Sequence, residues 1–253
     1  MELYRLTLAS ILTRKTFIIF AVLLLTLPFV LPAMTPWESK PTLLEPARAQ
    51  AAWALLWLTA LGWLLFQGAT IGDRWASQGI LEYFKTVGVS RFGQISQIFL
   101  SCLTVFALFL GISFTISTFT AMPGDQVEAK HWFATNVQYA FLLLLVAAPL
   151  LVLAISLGTR LNGAAAYAIT AGLALYGLVG IGFLEVFLAD NDNTFLNIVY
   201  IVSPHYHLSD LTSRLVFKLG ALPMAELTKI AAYLGGIGML IIGASFPLFR
   251  ESK

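Results

Sequence analysis

The chain has 253 residues, of which 58% are hydrophobic and only 11% charged, with a mean hydropathy of +0.84. Soluble domains carry about a quarter charged residues, so this composition excludes a soluble globule, a disordered chain, a disulfide scaffold and a nucleic-acid binder, and assigns the chain to the membrane class. The net charge of +2 is too small to argue for a polyanionic partner, and the one cysteine, Cys102, lies in an apolar run.

Residues 1–16 place Tyr4, Leu8, Ile11 and Leu12 on one helical face, with Arg5, Arg14 and Lys15 as polar anchors. That pattern predicts a short amphipathic helix in the membrane interface, where its basic groups attract anionic lipid headgroups. Six runs free of Asp, Glu, Lys and Arg follow, at 17–33, 51–71, 95–119, 137–158, 164–184 and 230–249. Each is near the ~20 residues that a helix needs to cross a bilayer core. The first run ends Leu31-Pro32-Ala33, without the small-residue pair of a signal-peptide cleavage site, and is therefore expected to remain in place. The predicted fold is an all-α integral membrane protein of six transmembrane helices in a single domain.

Six spans put both termini on one side. The intervals on that side hold nine basic and four acidic residues, a balance of +5, whereas the other side holds six basic and nine acidic residues, a balance of −3. Because Lys and Arg concentrate in cytoplasmic loops, both termini are predicted to be cytoplasmic, in the cytoplasmic (inner) membrane.

The loop at 72–94 is the most polar cytoplasmic stretch and mixes charges with large apolar groups. Asp73 and Arg74 open it, Ile80, Leu81, Phe84 and Val87 repeat at helical spacing, Gly88 ends the helix, and Arg91 leads into the third span. An exposed apolar face on a short cytoplasmic helix predicts a partner surface or the membrane interface, the alternative being packing against the chain's own span ends. In the fifth span Ala164, Ala168, Gly172, Tyr176 and Gly180 form an i, i+4 row that permits close helix approach. A similar row in the sixth span is Ala231, Gly235, Met239 and Gly243.

The outer loop at 185–229 opens on Glu185, a boundary residue and a candidate for lining a pathway. The segment 195–208 is apolar but is broken by Pro204 and too short to cross, which predicts a re-entrant or interfacial element. Pro204, His205 and His207 are candidates, with Glu185, for a pathway or outer gate. Leu208, Leu211, Leu215, Leu219 and Leu222 predict a surface-lying helix after it, with Asp210 and Arg214 as an i, i+4 ion pair. Two imidazoles at i, i+2 are a weak copper or zinc motif, and since no cysteine accompanies His205 and His207, no metal is expected. The run Asp190-Asn191-Asp192-Asn193 lacks the glycine and distal glutamate of a calcium loop and reads as a solvated turn.

No catalytic constellation emerges. Ser113 and Ser245 each follow a glycine at two residues, but no span contains a histidine to act as base. No P-loop pattern occurs, and no glycine is followed directly by lysine. The chain is accordingly not expected to be an enzyme or to bind a cofactor itself.

The order Asp73-Arg74, then Gly79-Ile80-Leu81-Glu82, then Thr86-Val87-Gly88-Val89-Ser90-Arg91 resembles the cytoplasmic loop of the permease subunits of type-2 (ABC-2) ABC exporters. Ile80 stands where threonine is usual in that family and Gly88 where proline is usual. The resemblance extends to the amphipathic start, the six spans and the broken segment around Ser203-Pro204. It implies a coupling helix that seats in a separate ABC ATPase, which would bind the ATP and Mg. Asp73, Arg74, Ile80, Leu81, Glu82, Phe84 and Arg91 would be the partner-binding residues. It also implies a second permease copy or paralogue packed against the first and fifth spans, with Ala164, Ala168, Gly172 and Gly180 at the contact. Two other readings of the residues remain: a non-transporting membrane assembly protein that recruits a soluble partner, and a metal-handling export or maturation factor.

Overall fold

The computed structural model describes residues 1–34, 41–190 and 193–252. Glu38, Lys40, Asp192 and Lys253, which enter the charge balance above, and Asn191 of the acidic turn lie outside the described residues. Every regular element among the described residues is helical. Six helices are long and apolar enough to cross a membrane: Lys15–Ala33, Leu44–Ser77, Arg91–Thr120, Gln126–Gly158, Gly163–Ala189 and Met224–Leu248. These spans contain or overlap the uncharged runs of the sequence. Several run beyond them, because an exposed polar turn extends a helix as readily as it ends one. Span 2 continues through Arg48 at one end and Asp73 at the other, and span 4 begins at Gln126 rather than near 137.

Side-chain caps fix where several helices begin. The Asp125 carboxylate accepts from the backbone N–H groups of Val127 and Glu128 at 2.9 and 3.0 Å, opening span 4. Ser90 accepts from Gly93 at 3.2 Å and Asn162 from Ala165 at 2.7 Å, opening spans 3 and 5. Each cap satisfies an N–H that the first helical turn leaves orphaned. Three spans contain a π-helical turn, at Thr59–Leu64, Ile116–Thr120 and Tyr176–Gly180.

Spans 2 and 4 form the centre. Two thirds (67%) of the most apolar stretch of each is buried, against 39% for span 3 and 17–22% for spans 1, 5 and 6. Lipid is as apolar as leucine, so close backbone approach rather than water exclusion must hold these helices together. That approach occurs at three glycines. A Cβ on Gly72 would stand 2.3 Å from the carbonyl oxygen of Ile155, one on Gly158 2.2 Å from that of Ala69, and one on Gly68 2.9 Å from the Leu151 side chain. Span 6 packs on span 4 through Gly238, where a Cβ would meet the Pro149 ring at 2.8 Å. The row Ala231, Gly235, Met239 and Gly243 does not make that contact: Met239 is 75% exposed, and a Cβ on Gly235 or Gly243 would meet nothing.

The N-terminal helix, α1 (Glu2–Leu12), packs along span 3. It buries Leu3, Thr7 and Ile11, one residue round from the expected stripe, while Leu12 and Leu6 are exposed. The Tyr4 N–H donates to Gln97 at 3.3 Å, and Ser101 donates to the Tyr4 carbonyl at 2.9 Å. Polar groups of span 3, which an apolar-periodicity argument ignores, set the face.

Candidate functional site

The end of the bundle that bears both termini holds the loop singled out in the sequence. Span 2 continues as a helix to Ser77, so Asp73 and Arg74 belong to its last turns rather than to a loop. Gly79 (φ +71°) turns the corner into a short helix, α5 (Ile80–Thr86). Gly88 (φ +90°) ends it in a Schellman motif: the Val89 N–H donates to the Phe84 carbonyl at 2.9 Å and the Gly88 N–H to that of Lys85 at 3.0 Å. A helix that starts and stops on left-handed glycines has a fixed direction, and that direction decides which residues face a partner.

Leu81 is fully buried and Phe84 is 8% exposed, so both anchor α5 to this chain's own core instead of offering an apolar contact to another protein. The exposed apolar groups are Tyr83 (62%) and Val87 (61%), with Glu82 exposed beside them and Ile80 half-buried. Asp73 also serves inside the chain, accepting from the Gly163 N–H at 2.7 Å where span 5 begins. Arg91, half-buried, donates to the Pro247 carbonyl at 3.4 Å. Of the seven residues expected at a partner surface, Arg74 and Glu82 are exposed, Ile80 is partly so, and Asp73, Leu81, Phe84 and Arg91 are engaged within the chain. Val87 belongs to the apolar stripe of the sequence and is exposed as expected, whereas Tyr83 lies off that stripe, because Leu81 and Phe84 turn the stripe's other members inward.

The C-terminal tail lies against the same helix. Lys85 forms an ion pair with Glu251 at 2.6 Å. Near the first span, Arg14 donates to the buried side-chain oxygen of Gln67, and burial with the nearby Arg74 charge holds the Arg14 guanidinium below its ordinary pKa.

At the opposite end the segment after span 5 is clamped to the bundle. Its first helix, Thr194–Val202, is capped by Asn193 and followed by a turn at Tyr206–Ser209 and one helical turn at Thr212–Val216. The long surface helix expected from the leucine stripe does not form. The chain leaves helical geometry at Lys218 (φ +50°) and Gly220 (φ +76°), and Leu219 is 60% exposed. Nor do Asp210 and Arg214 pair. Asp210 accepts from the Tyr139 hydroxyl at 2.5 Å and the Thr212 N–H at 2.9 Å, while Arg214 donates to the Gly220 carbonyl at 2.8 Å.

Tyr139 centres this clamp. Its hydroxyl also accepts from Trp57 at 3.0 Å, and its ring stacks on Trp53 at 4.3 Å. The Trp53 indole donates to Asn136 at 2.9 Å, and Gln138 exchanges two hydrogen bonds with the backbone of Leu222, at 2.7 and 2.9 Å. Spans 2 and 4 and the outer segment are thereby joined through polar groups. Charge counting could not find this network, because only Asp210 among its members is charged.

Pro204, His205 and His207 sit where this segment meets span 5. Gly177 lies in the π-helical turn of that span, and a Cβ there would stand 2.5 Å from the Tyr206 ring and 2.6 Å from the Pro204 carbonyl. The hydroxyls of Tyr176 and Ser203 lie 2.8 Å apart, and Tyr233 of span 6 donates to the Ser203 carbonyl at 2.8 Å. His205 donates its Nε2 proton to the Tyr200 carbonyl at 2.9 Å. Burial and the neighbouring His205 hold the His207 imidazole below its ordinary pKa, partly offset by Glu185 and the Gly177 backbone. The His205 and His207 rings are 5.5 Å apart, and among the described residues no group of three or more metal-ligating side chains forms. Glu185 is exposed on the outer part of span 5.

On span 5, Ala164, Ala168 and Gly172 are exposed, and a Cβ on Gly172 would meet nothing. Gly180 lies under the Tyr176 ring, where a Cβ would stand 2.7 Å away. The first three therefore face outward and the fourth serves packing within the chain. Comparison with protein-family models, with curated proteins and with solved structures returns no match for this chain.

Proposed function

We propose that this chain is the membrane-spanning subunit of an ATP-driven transporter, similar to the permeases of type-2 ABC exporters, working with a separate ATPase. The observation that carries this reading is α5. It is set by two left-handed glycines, anchored by Leu81 and Phe84, and presents Glu82, Tyr83 and Val87 outward, with the C-terminal tail alongside through Lys85 and Glu251. A surface of one charge and two large apolar groups on a fixed short helix suits seating in a groove of a soluble protein. In this reading both termini are cytoplasmic, in the inner membrane, as the balance of +5 against −3 supports. The ATPase supplies ATP and Mg, and this chain supplies none of the chemistry.

Two copies, or this chain and a paralogue, would enclose the path. The outward row Ala164, Ala168 and Gly172 on the little-buried span 5 suits close contact with a second subunit. The segment holding Pro204, His205 and His207 would act as the outer closure, tied to span 5 at Gly177 and to span 6 through Tyr233. Purification from detergent tests the reading: an ATP-hydrolysing protein should accompany the wild type and be lost from Glu82→Lys. ATPase activity that never co-purifies, or that is unchanged in Glu82→Lys and Tyr83→Ala, contradicts it.

A further inference from the structure

Two guanidinium groups converge on the last turn of span 6. Arg160 donates from Nη2 to the Pro247 carbonyl at 2.7 Å and from Nε to the Leu248 carbonyl at 2.6 Å, and Arg91 donates to the same Pro247 oxygen at 3.4 Å. The negative end of the helix dipole draws both there. A carbonyl nevertheless carries no net charge, and a helix end offers only about half a negative charge, so the two like charges that meet at one oxygen are compensated only in part. Among the described residues neither arginine forms an ion pair, and Glu251 of the adjoining tail is taken by Lys85. The Nε of Arg91 is buried with no hydrogen-bond partner.

An apolar feature adjoins this charge. Phe92, the residue after Arg91, stacks on Phe246, the residue before Pro247, with ring centroids 5.6 Å apart and planes at 26°. Phe92 is 64% exposed. Both rings stand at the ends of membrane-spanning helices, Arg91–Thr120 and Met224–Leu248. A free phosphate would satisfy the guanidiniums but would leave the rings idle. A phospholipid uses both, with its phosphate against the arginines and the start of its acyl chains against the phenylalanines.

We infer that Arg91, Arg160, Phe92 and Phe246 form a binding site for the headgroup of an anionic phospholipid at the end of the bundle bearing the termini. The phosphate accepts charge-assisted hydrogen bonds from donors that the Pro247 and Leu248 carbonyls leave unused, geometry that guanidinium serves better than ammonium. Occupancy neutralises the two like charges and secures the ends of spans 3 and 6 to one another. The site does not depend on the transport reading.

The test uses the full chain in nanodiscs of phosphatidylcholine, alone or mixed with phosphatidylglycerol, with co-purifying lipid read by mass spectrometry and thermal stability read in parallel. The wild type should retain phosphatidylglycerol in preference to phosphatidylcholine and be stabilised by it, whereas inorganic phosphate in phosphatidylcholine discs should not stabilise it. Each of Arg91→Gln and Arg160→Gln should reduce the preference by roughly five-fold, the equivalent of about 1 kcal/mol per basic group near a membrane. Phe92→Ala, at an exposed position that leaves folding intact, should reduce retention of both lipids, and Lys229→Gln at the other end should change neither. Equal retention of the two lipids by the wild type overturns the inference, whatever the arginine variants do. Full stabilisation by inorganic phosphate, or unchanged retention in Phe92→Ala, overturns the lipid as the ligand.

Discussion

A Cβ on Gly158 would stand 2.2 Å from the carbonyl oxygen of Ala69, so the backbones of spans 4 and 2 are in direct contact at that point. No side-chain rotation relieves such a clash. Gly158→Ala is predicted to lower stability by about 1–3 kcal/mol, the usual cost of overpacking, whereas Gly172→Ala on the open face of span 5 should change it little. Thermal unfolding in detergent separates the two, and equal midpoints would show that spans 2 and 4 do not touch as described.

Tyr139→Phe keeps the stack on Trp53 but removes the hydroxyl that joins Trp57, Asp210 and Thr212. The indole N–H of half-buried Trp57 then loses its acceptor and exposed Asp210 loses a donor, at a cost of about 1 kcal/mol, the net worth of ordinary hydrogen bonds whose partners water can still reach. The outer segment should also become more open to proteolysis between Ser209 and Gly220. Unchanged cleavage in Tyr139→Phe would mean that the clamp lies elsewhere.

These two sites differ in how far the sequence announced them. The six spans were legible because an uncharged stretch of bilayer length has few alternatives. The glycines at 68, 72 and 158 were not, since a small-residue row looks the same whether it meets another helix or open surface, and the more regular rows of spans 5 and 6 drew attention instead. The periodicity of the 72–94 loop predicts a short helix, and one lies at Ile80–Thr86, but the same periodicity does not tell an outward face from the inward one that Leu81 and Phe84 occupy. The leucine stripe after 208 predicts a surface-lying helix; Leu211, Leu215 and Leu222 are buried, but Leu219 is exposed and the helix breaks at Lys218. Left-handed Lys218 closes the turn Thr212–Val216 in a Schellman motif, the Leu219 N–H donating to the Arg214 carbonyl at 2.9 Å and the Lys218 N–H to that of Leu215 at 3.2 Å, a stop that is ordinarily glycine's and that an apolar stripe does not announce.

The His207 imidazole predicts a pH response. Burial, the first cause, and His205 hold its pKa below the ordinary 6.5, against the opposing pull of Glu185 and the Gly177 backbone. The folded state therefore takes up this proton less readily than the unfolded chain. Its contribution to stability is complete above about 6.5 and declines as pH falls below that value. The unfolding midpoint of the wild type should fall with acidification through this window more steeply than that of His207→Gln. Parallel curves would remove His207 from the account of the outer closure.

Orientation is open to a labelling measurement in a Cys102→Ala background, since Cys102 is buried. Ser90 and Ser213 are exposed at opposite ends of the bundle, whereas Ser209 is fully buried and unsuited to labelling. A membrane-impermeant maleimide added to intact cells should label Ser213→Cys and reach Ser90→Cys only after permeabilisation. The reverse pattern would place the termini outside and detach α5 from any cytoplasmic ATPase.

The central claim is that the outward face of α5 seats in an ATPase, and Tyr83, at 62% exposure, is the residue best placed to report it. A photo-crosslinking amino acid substituted for Tyr83 in native membranes should form an adduct with a nucleotide-binding protein, sensitive to the added change Glu82→Lys. The same group at buried Leu81 should form none. An adduct at Tyr83 only with lipid, or with a protein that neither binds nor hydrolyses ATP, would contradict the account.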